Sequence, residues 1–167
     1  MTEVRPALAM RWWIYQRERF PLAGHGVLVL FFSAAAVCFS ALLRGDDGAV
    51  EIPALRSFAV AFFCCLLIFI QLRIADEFKD NEEDRRWRPY RPVPRGLVTL
   101  RELAALFAVA AVVQATLAAW LSPKLLILLL VTWAYLAAMS VEFGVGAWLR
   151  ARPLAYLLSH MFIMPLI

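Results

Sequence analysis

The sequence predicts an all-α fold, a polytopic membrane helix bundle with about five transmembrane helices. Three observations carry that prediction. First, 63% of the 167 residues are hydrophobic and the mean hydropathy is +0.71, whereas soluble domains use roughly 45–50% apolar residues. Second, residues 26–43, 57–72, 103–123 and 125–141 contain no Asp, Glu, Lys or Arg. Each is close to the length of about 20 residues that crosses a bilayer, and a fifth apolar run covers 153–167. Third, the basic residues alternate by segment. Of 17 Lys and Arg, 14 precede the first span, lie between the second and third, or follow the fourth. The other 3 are Arg44, Arg56 and Lys124. Positive charge collects on the cytoplasmic side of membrane proteins. The expected topology therefore puts the N-terminus, the 73–101 block, Arg150 and Arg152 in the cytoplasm, with Asp46 and Lys124 opposite. This distribution, rather than the net charge of +4, argues against a nucleic-acid partner.

Residues 1–25 form a cytoplasmic, interfacial segment in this reading. Trp12, Trp13 and Tyr15 alternate with Arg5, Arg11, Arg17 and Arg19, a mixture suited to lipid headgroups. Residues 26–167 form the transmembrane bundle. Arg44 to Arg56, with Gly45, Asp46, Asp47, Gly48 and Pro53, reads as an outer turn. Cys38, Cys64 and Cys65 sit inside spans without metal-ligand spacing and count as small apolar residues. Gln114 and Thr116 are expected to hydrogen-bond between helices, Gln71 either to do the same or to face the cavity, and Ser122-Pro123-Lys124 to turn the chain outside. Trp133, Tyr135 and Trp148 are candidates for an aromatic pocket, although such residues also gather at membrane interfaces. His160 is costly in an apolar run and is expected to point inward. The last run ends abruptly at Ile167, so the expected protein is longer.

One block breaks the apolar pattern, RIADEFKDNEEDRRWRPYRPVPRG over 73–96. Six carboxylates fall between Asp76 and Asp84 and five arginines between Arg85 and Arg95. If the second span continues as a helix, Glu77, Asp80 and Asp84 share one face at about 3.6 residues per turn. Asp76, Arg73 and Asn81 lie at its margin. Like charges at this spacing repel, and a hard divalent cation would relieve the repulsion. Pro89, Pro92 and Pro94 end the helix because proline lacks the amide donor. Thr99 and Glu102 then make a capping-box pattern for the third span.

The pattern DEFKDNEED followed by RRWRPYRPVPRG resembles the first aspartate-rich motif, and the following Arg-Pro loop, of the UbiA superfamily of intramembrane prenyltransferases. Asp76 stands where that motif has Asn, and Glu77, Asp80 and Asp84 take its three aspartate positions. Glu77 thus replaces an aspartate. Arg91-Pro92 and Pro94-Arg95-Gly96 keep step with the loop. The resemblance implies a Mg²⁺-dependent transferase that moves a prenyl group from a prenyl diphosphate to an aromatic or other lipophilic acceptor. It implies Asp80, Asp84 and Glu77 as catalytic residues, with Asp76, Glu77, Asp80 and Asp84 as metal ligands. Arg73, Asn81, Arg88 and Arg91 would bind the substrate diphosphate. Arg19 or Arg17 would be in reach of the same site, though a cytoplasmic anchor is their plainer role. The chain resembles only the first half of the family's bundle of about nine spans, and the family's second aspartate-rich motif is missing from it. After Glu102 the one carboxylate side chain is Glu142, so the chain alone is expected to be inactive.

The expected setting is the membrane itself, the bacterial inner membrane, with lipids as constant partners. A competing class is a non-enzymatic membrane protein, a cation transporter or assembly subunit whose acidic face binds a metal or a partner. Transporters place ionisable groups near the bilayer centre, and here the acids cluster at one edge.

Overall fold

The computed structural model describes residues 6–44 and 52–167, and all regular structure among them is helical. The predicted outer turn at Asp46, Asp47 and Gly48 lies outside the described residues. The elements are α1 (Leu8–Arg19), α2 (Leu22–Arg44), α3 (Leu55–Lys79), α4 (Asn81–Trp87), α5 (Leu100–Leu121), α6 (Leu125–Ser140), α7 (Gly146–Arg150) and α8 (Pro153–Met161). Short 3-10 turns occupy Glu142–Gly144 and Met164–Leu166. The chain divides into two compact units, Met1–Ala111 and Val112–Ile167.

Among the described residues, three helices are long and apolar enough to cross a membrane: α2, α3 and α5, with 23, 25 and 22 residues. At 1.5 Å per residue these are about 33–38 Å long, against a hydrocarbon core of about 30 Å. The other two expected spans come out shorter. α6 has 16 residues, and the 153–167 run is broken after Met161, resuming as a 3-10 turn that contains Pro165. A proline inside the run removes an amide donor and interrupts regular helix. The large apolar side chains left exposed along the spans, Leu28, Phe31, Phe39, Val109 and Val112 among them, would be costly to leave in water but face no such penalty in lipid.

In the first unit, α2 packs on α3. The buried stripe of α3 steps by three, through Cys65, Ile68, Gln71, Ile74 and Glu77, so one face runs from apolar to charged along the helix. Gln71 is fully buried, and its side-chain amide donates to the Phe107 carbonyl of α5 at 3.3 Å. That is the expected bond between helices. Thr116 differs: its hydroxyl returns to Val112 in its own helix at 2.8 Å. A threonine in an apolar helix satisfies itself this way without a neighbour.

The core closes at the foot of α3. Tyr15 of α1, Ile74, Leu103 of α5, and Val93, Leu97 and Val98 of the connecting segment form one buried cluster. Residues 88–99 are therefore more than a charged surface loop. Pro92, Val93, Leu97 and Val98 are buried, while Pro89, Tyr90 and Arg95 are exposed. Gly96 adopts φ +76°, a left-handed turn that side chains resist.

Candidate functional site

The charged block lies where α3 meets α4. The single acidic face expected from the sequence is interrupted there. Asp80 leaves helical geometry, with φ −91° and ψ 1°, and serves as C-cap of α3 and N-cap of α4. Backbone bonds cross the break, from the Asp80 amide to Asp76 at 2.9 Å and from the Asp84 amide to Asp80 at 2.8 Å. Arginines, rather than a continuous acidic face, now neutralise the two buried carboxylates.

Glu77 is 2% exposed. Arg19 Nε donates to its Oε1 at 2.5 Å, and Arg73 Nη2 donates to the same oxygen at 3.1 Å. Arg73 also lies 3.6 Å from Asp76, whose side chain is half exposed. Asp84 is 1% exposed. Arg91 Nη1 donates to both of its oxygens at 2.7 and 2.5 Å, and Arg88 Nη1 adds a bond at 3.1 Å. Burial pushes the Asp84 carboxyl upward, but the hydrogen bonds from Arg91 and Arg88 outweigh it and hold the group below the usual carboxylate range. In return, the Asp84 bond raises Arg91 above its ordinary value. Asp80 has no ion pair with any described arginine.

Several polar atoms in this region are buried without a hydrogen-bond partner. They are Tyr15 Oη, Arg19 Nη2, Arg73 Nε and Asn81 Oδ1. Native proteins satisfy nearly all such groups, so this concentration marks the place as polar and unfinished.

The sequence reading missed how completely α1 belongs to the region. Arg11, buried at 6% exposure, donates from Nε to the Leu97 carbonyl and from Nη2 to both oxygens of Glu102, all at 2.6–2.7 Å. Glu102 is held in turn by the predicted capping box: it accepts from the Thr99 amide at 2.7 Å while its own amide donates to Thr99 Oγ1 at 3.2 Å. With α1 fixed this way, Tyr15 enters the core and Arg19 reaches Glu77. The signal was legible in the spacing. Arg11, Tyr15 and Arg19 recur every four residues, which on a helix is one face.

Among the described residues, no group of three or more His, Cys, Asp or Glu side chains is gathered as a metal site. The model of the UbiA prenyltransferase family matches residues 38–155. The chain belongs to the UbiA prenyltransferase family. No curated protein and no solved structure gives a significant match. For a UbiA-family chain, general expectations follow of a membrane setting, a prenyl diphosphate and Mg²⁺. The matched segment contains the whole charged block but begins after α1, so Tyr15 and Arg19 come from outside it.

The remaining candidates lie in the second unit of this UbiA-family protein. Trp133 Nε1 donates to Gln114 Oε1 at 3.3 Å, which gives Gln114 its bond between helices. Tyr135 donates to the Ser159 carbonyl at 2.5 Å and touches Phe143 edge-on. Trp148 is exposed under the Arg152 guanidinium, 4.5 Å from its ring centre. His160 stacks on Tyr156, its Nδ1 lies 2.9 Å from the Tyr156 carbonyl, and its Nε2 is buried without a partner.

Proposed function

We propose that this protein is an intramembrane prenyltransferase, moving a prenyl group from a prenyl diphosphate to an aromatic or other lipophilic acceptor. The observation that carries the reading is the buried pairing of Glu77 and Asp84 with four guanidiniums beside apolar helices. A diphosphate headgroup calls for guanidiniums, which meet phosphate through forked hydrogen bonds. Its isoprenoid tail calls for the lipid-facing surface that these helices supply.

In this reading Arg73, Asn81, Arg88 and Arg91 orient the diphosphate. Asp76, Glu77, Asp80 and Asp84 would hold Mg²⁺, with Asp80 and Asp84 first. The donor set fits a hard cation, because every candidate ligand is an oxygen. Bound Mg²⁺ would supply neutralisation of charge on the phosphate oxygens. The residues themselves act as the allylic C–O bond breaks and its electron pair passes to the diphosphate oxygen. Arginine donors gathered at the site would stabilise the charge that develops on that oxygen. The acceptor's nucleophilic atom then bonds to the allylic carbon and gives up its proton to the released diphosphate. Apolar helix walls exclude water, which would otherwise capture the cation.

The same proposal includes α6 and the 153–166 run as two further membrane segments, giving five of a bundle of about nine, with the N-terminus and charged block cytoplasmic. The test is to supply the purified protein in lipid nanodiscs with labelled prenyl diphosphates, Mg²⁺ and a panel of aromatic acceptors. A labelled lipophilic product with stoichiometric release of diphosphate is expected. Intact donor across the whole panel would contradict the reading.

A further inference from the structure

We propose that this site binds in a fixed order, oxyanion first and Mg²⁺ second, because arginines occupy the buried carboxylates that would hold the metal. This deepens the prenyltransferase reading and rests on it for the identity of the anion. The geometry divides the polar atoms of the site into committed and spare. The committed ones are carboxylate oxygens. Glu77 Oε1 accepts from both Arg19 and Arg73, and both oxygens of Asp84 accept from Arg91, with Arg88 added on one. The spare ones are mostly donors: Arg19 Nη2, Arg73 Nε and Tyr15 Oη are buried with nothing to bond. The Arg19 side chain is 10% exposed and Tyr15 is 5% exposed, so bulk water does not readily serve them. Arg19 Nη2 belongs to the same rigid guanidinium whose Nε rests on Glu77, which fixes it beside that carboxylate.

Spare buried donors are completed by an acceptor, and a phosphate oxygen is a strong one. A cation arriving first meets the opposite situation. It finds Asp76 half open, but must displace Arg91 from both oxygens of Asp84 and compete with two guanidiniums at Glu77 Oε1. Mg²⁺ sheds water reluctantly and is held by one or two carboxylates together with phosphate oxygens. When a diphosphate arrives first, Arg19, Arg73, Arg88 and Arg91 gain phosphate oxygens as alternative acceptors. Glu77 and Asp84 are thereby released toward the cation. Mg²⁺ and diphosphate are thus coupled through the arginines, and each tightens the other by the same factor. Arg19 and Tyr15, which α1 contributes from outside the family-matched segment, become parts of the anion site.

The test is titration calorimetry on the purified protein in detergent, with inorganic diphosphate and Mg²⁺ each alone and then in the presence of the other. Diphosphate should bind without Mg²⁺. Mg²⁺ alone should bind at least tenfold more weakly than with diphosphate saturating, after correction for the Mg²⁺–diphosphate complex in solution. Arg19→Gln should weaken metal-free diphosphate binding about tenfold and strengthen Mg²⁺ binding in the absence of anion, since Glu77 loses a guanidinium. A merely structural role for Arg19 would not move the two affinities in opposite directions. Arg101→Gln, exposed at the start of α5, should change neither. Equal Mg²⁺ affinity with and without diphosphate, or no diphosphate binding without metal, would overturn the proposal, and both are read on the wild type alone. If the order is reversed while prenyl transfer proceeds, the ordering fails and the enzymatic reading stands. If the order holds while no donor is consumed, the anion site stands and the enzymatic reading fails.

Discussion

Asp84 shows how a single residue is set by its neighbours. Its burial alone would favour the neutral acid, and only the guanidiniums of Arg91 and Arg88 keep it ionised. A carboxyl whose folded pKa is depressed contributes stability above its unfolded value and loses it as pH falls through the folded value. Thermal unfolding in detergent should therefore show a melting temperature that declines as the medium drops below the ordinary carboxylate range, about pH 4. Asp84→Asn should flatten part of that decline. An unchanged profile in the variant would contradict the pairing. Asp84→Ala should cost on the order of 1–2 kcal/mol, because it removes the charge-assisted hydrogen bonds of the partly exposed Arg91 and Arg88. At Glu77 the demand is for charge with some freedom of reach, so Glu77→Asp should keep more transferase activity than Glu77→Gln. The reverse order, read from initial rates, would assign Glu77 a neutral hydrogen-bonding role.

At the scale of the element, the segment between α4 and α5 carries the lesson about legibility. Its prolines, its glycine turn and the Thr99–Glu102 box were all readable, because each acts through local backbone geometry. What the sequence did not disclose is that Val93, Leu97 and Val98 are buried against Tyr15 and Ile74. That packing depends on the return of α1 from more than 70 residues away in the chain, a contact that no local pattern encodes. The interruption at Asp80 escaped for a related reason. Helical periodicity assumes a continuous helix, and the arginines that take over Glu77 and Asp84 come from three different elements. Thr99→Ala removes one side of the capping box and should lower stability by about 1 kcal/mol, measured by denaturation in mixed micelles. Gly96→Ala forces a side chain into a left-handed turn and should cost about 1–2 kcal/mol. Stability unchanged by both would place the ordering of this segment elsewhere.

At the scale of the whole molecule, membrane character was the most legible feature, because hydropathy acts over whole helices and needs no knowledge of contacts. The number of spans was less so. Composition cannot show that Pro165 interrupts the last run, nor that α6 stops after 16 residues. Orientation remains a prediction from the asymmetry of 14 against 3 basic residues. Tyr90 is well exposed in the charged block. A Tyr90→Cys variant lacking Cys38, Cys64 and Cys65 should resist a membrane-impermeant thiol reagent in intact cells and react after permeabilisation. Labelling from outside would invert the topology. The central claim is that the carboxylate–guanidinium cluster at the foot of α3 is where a prenyl diphosphate is ionised. Its most direct test is the rate of Mg²⁺-dependent prenyl transfer in nanodiscs by wild type, Asp80→Asn and Asp84→Asn, with membrane insertion checked for each. The account predicts that both substitutions reduce turnover by about 100-fold or more while insertion is retained, and transfer at wild-type rate by either inserted variant would contradict it.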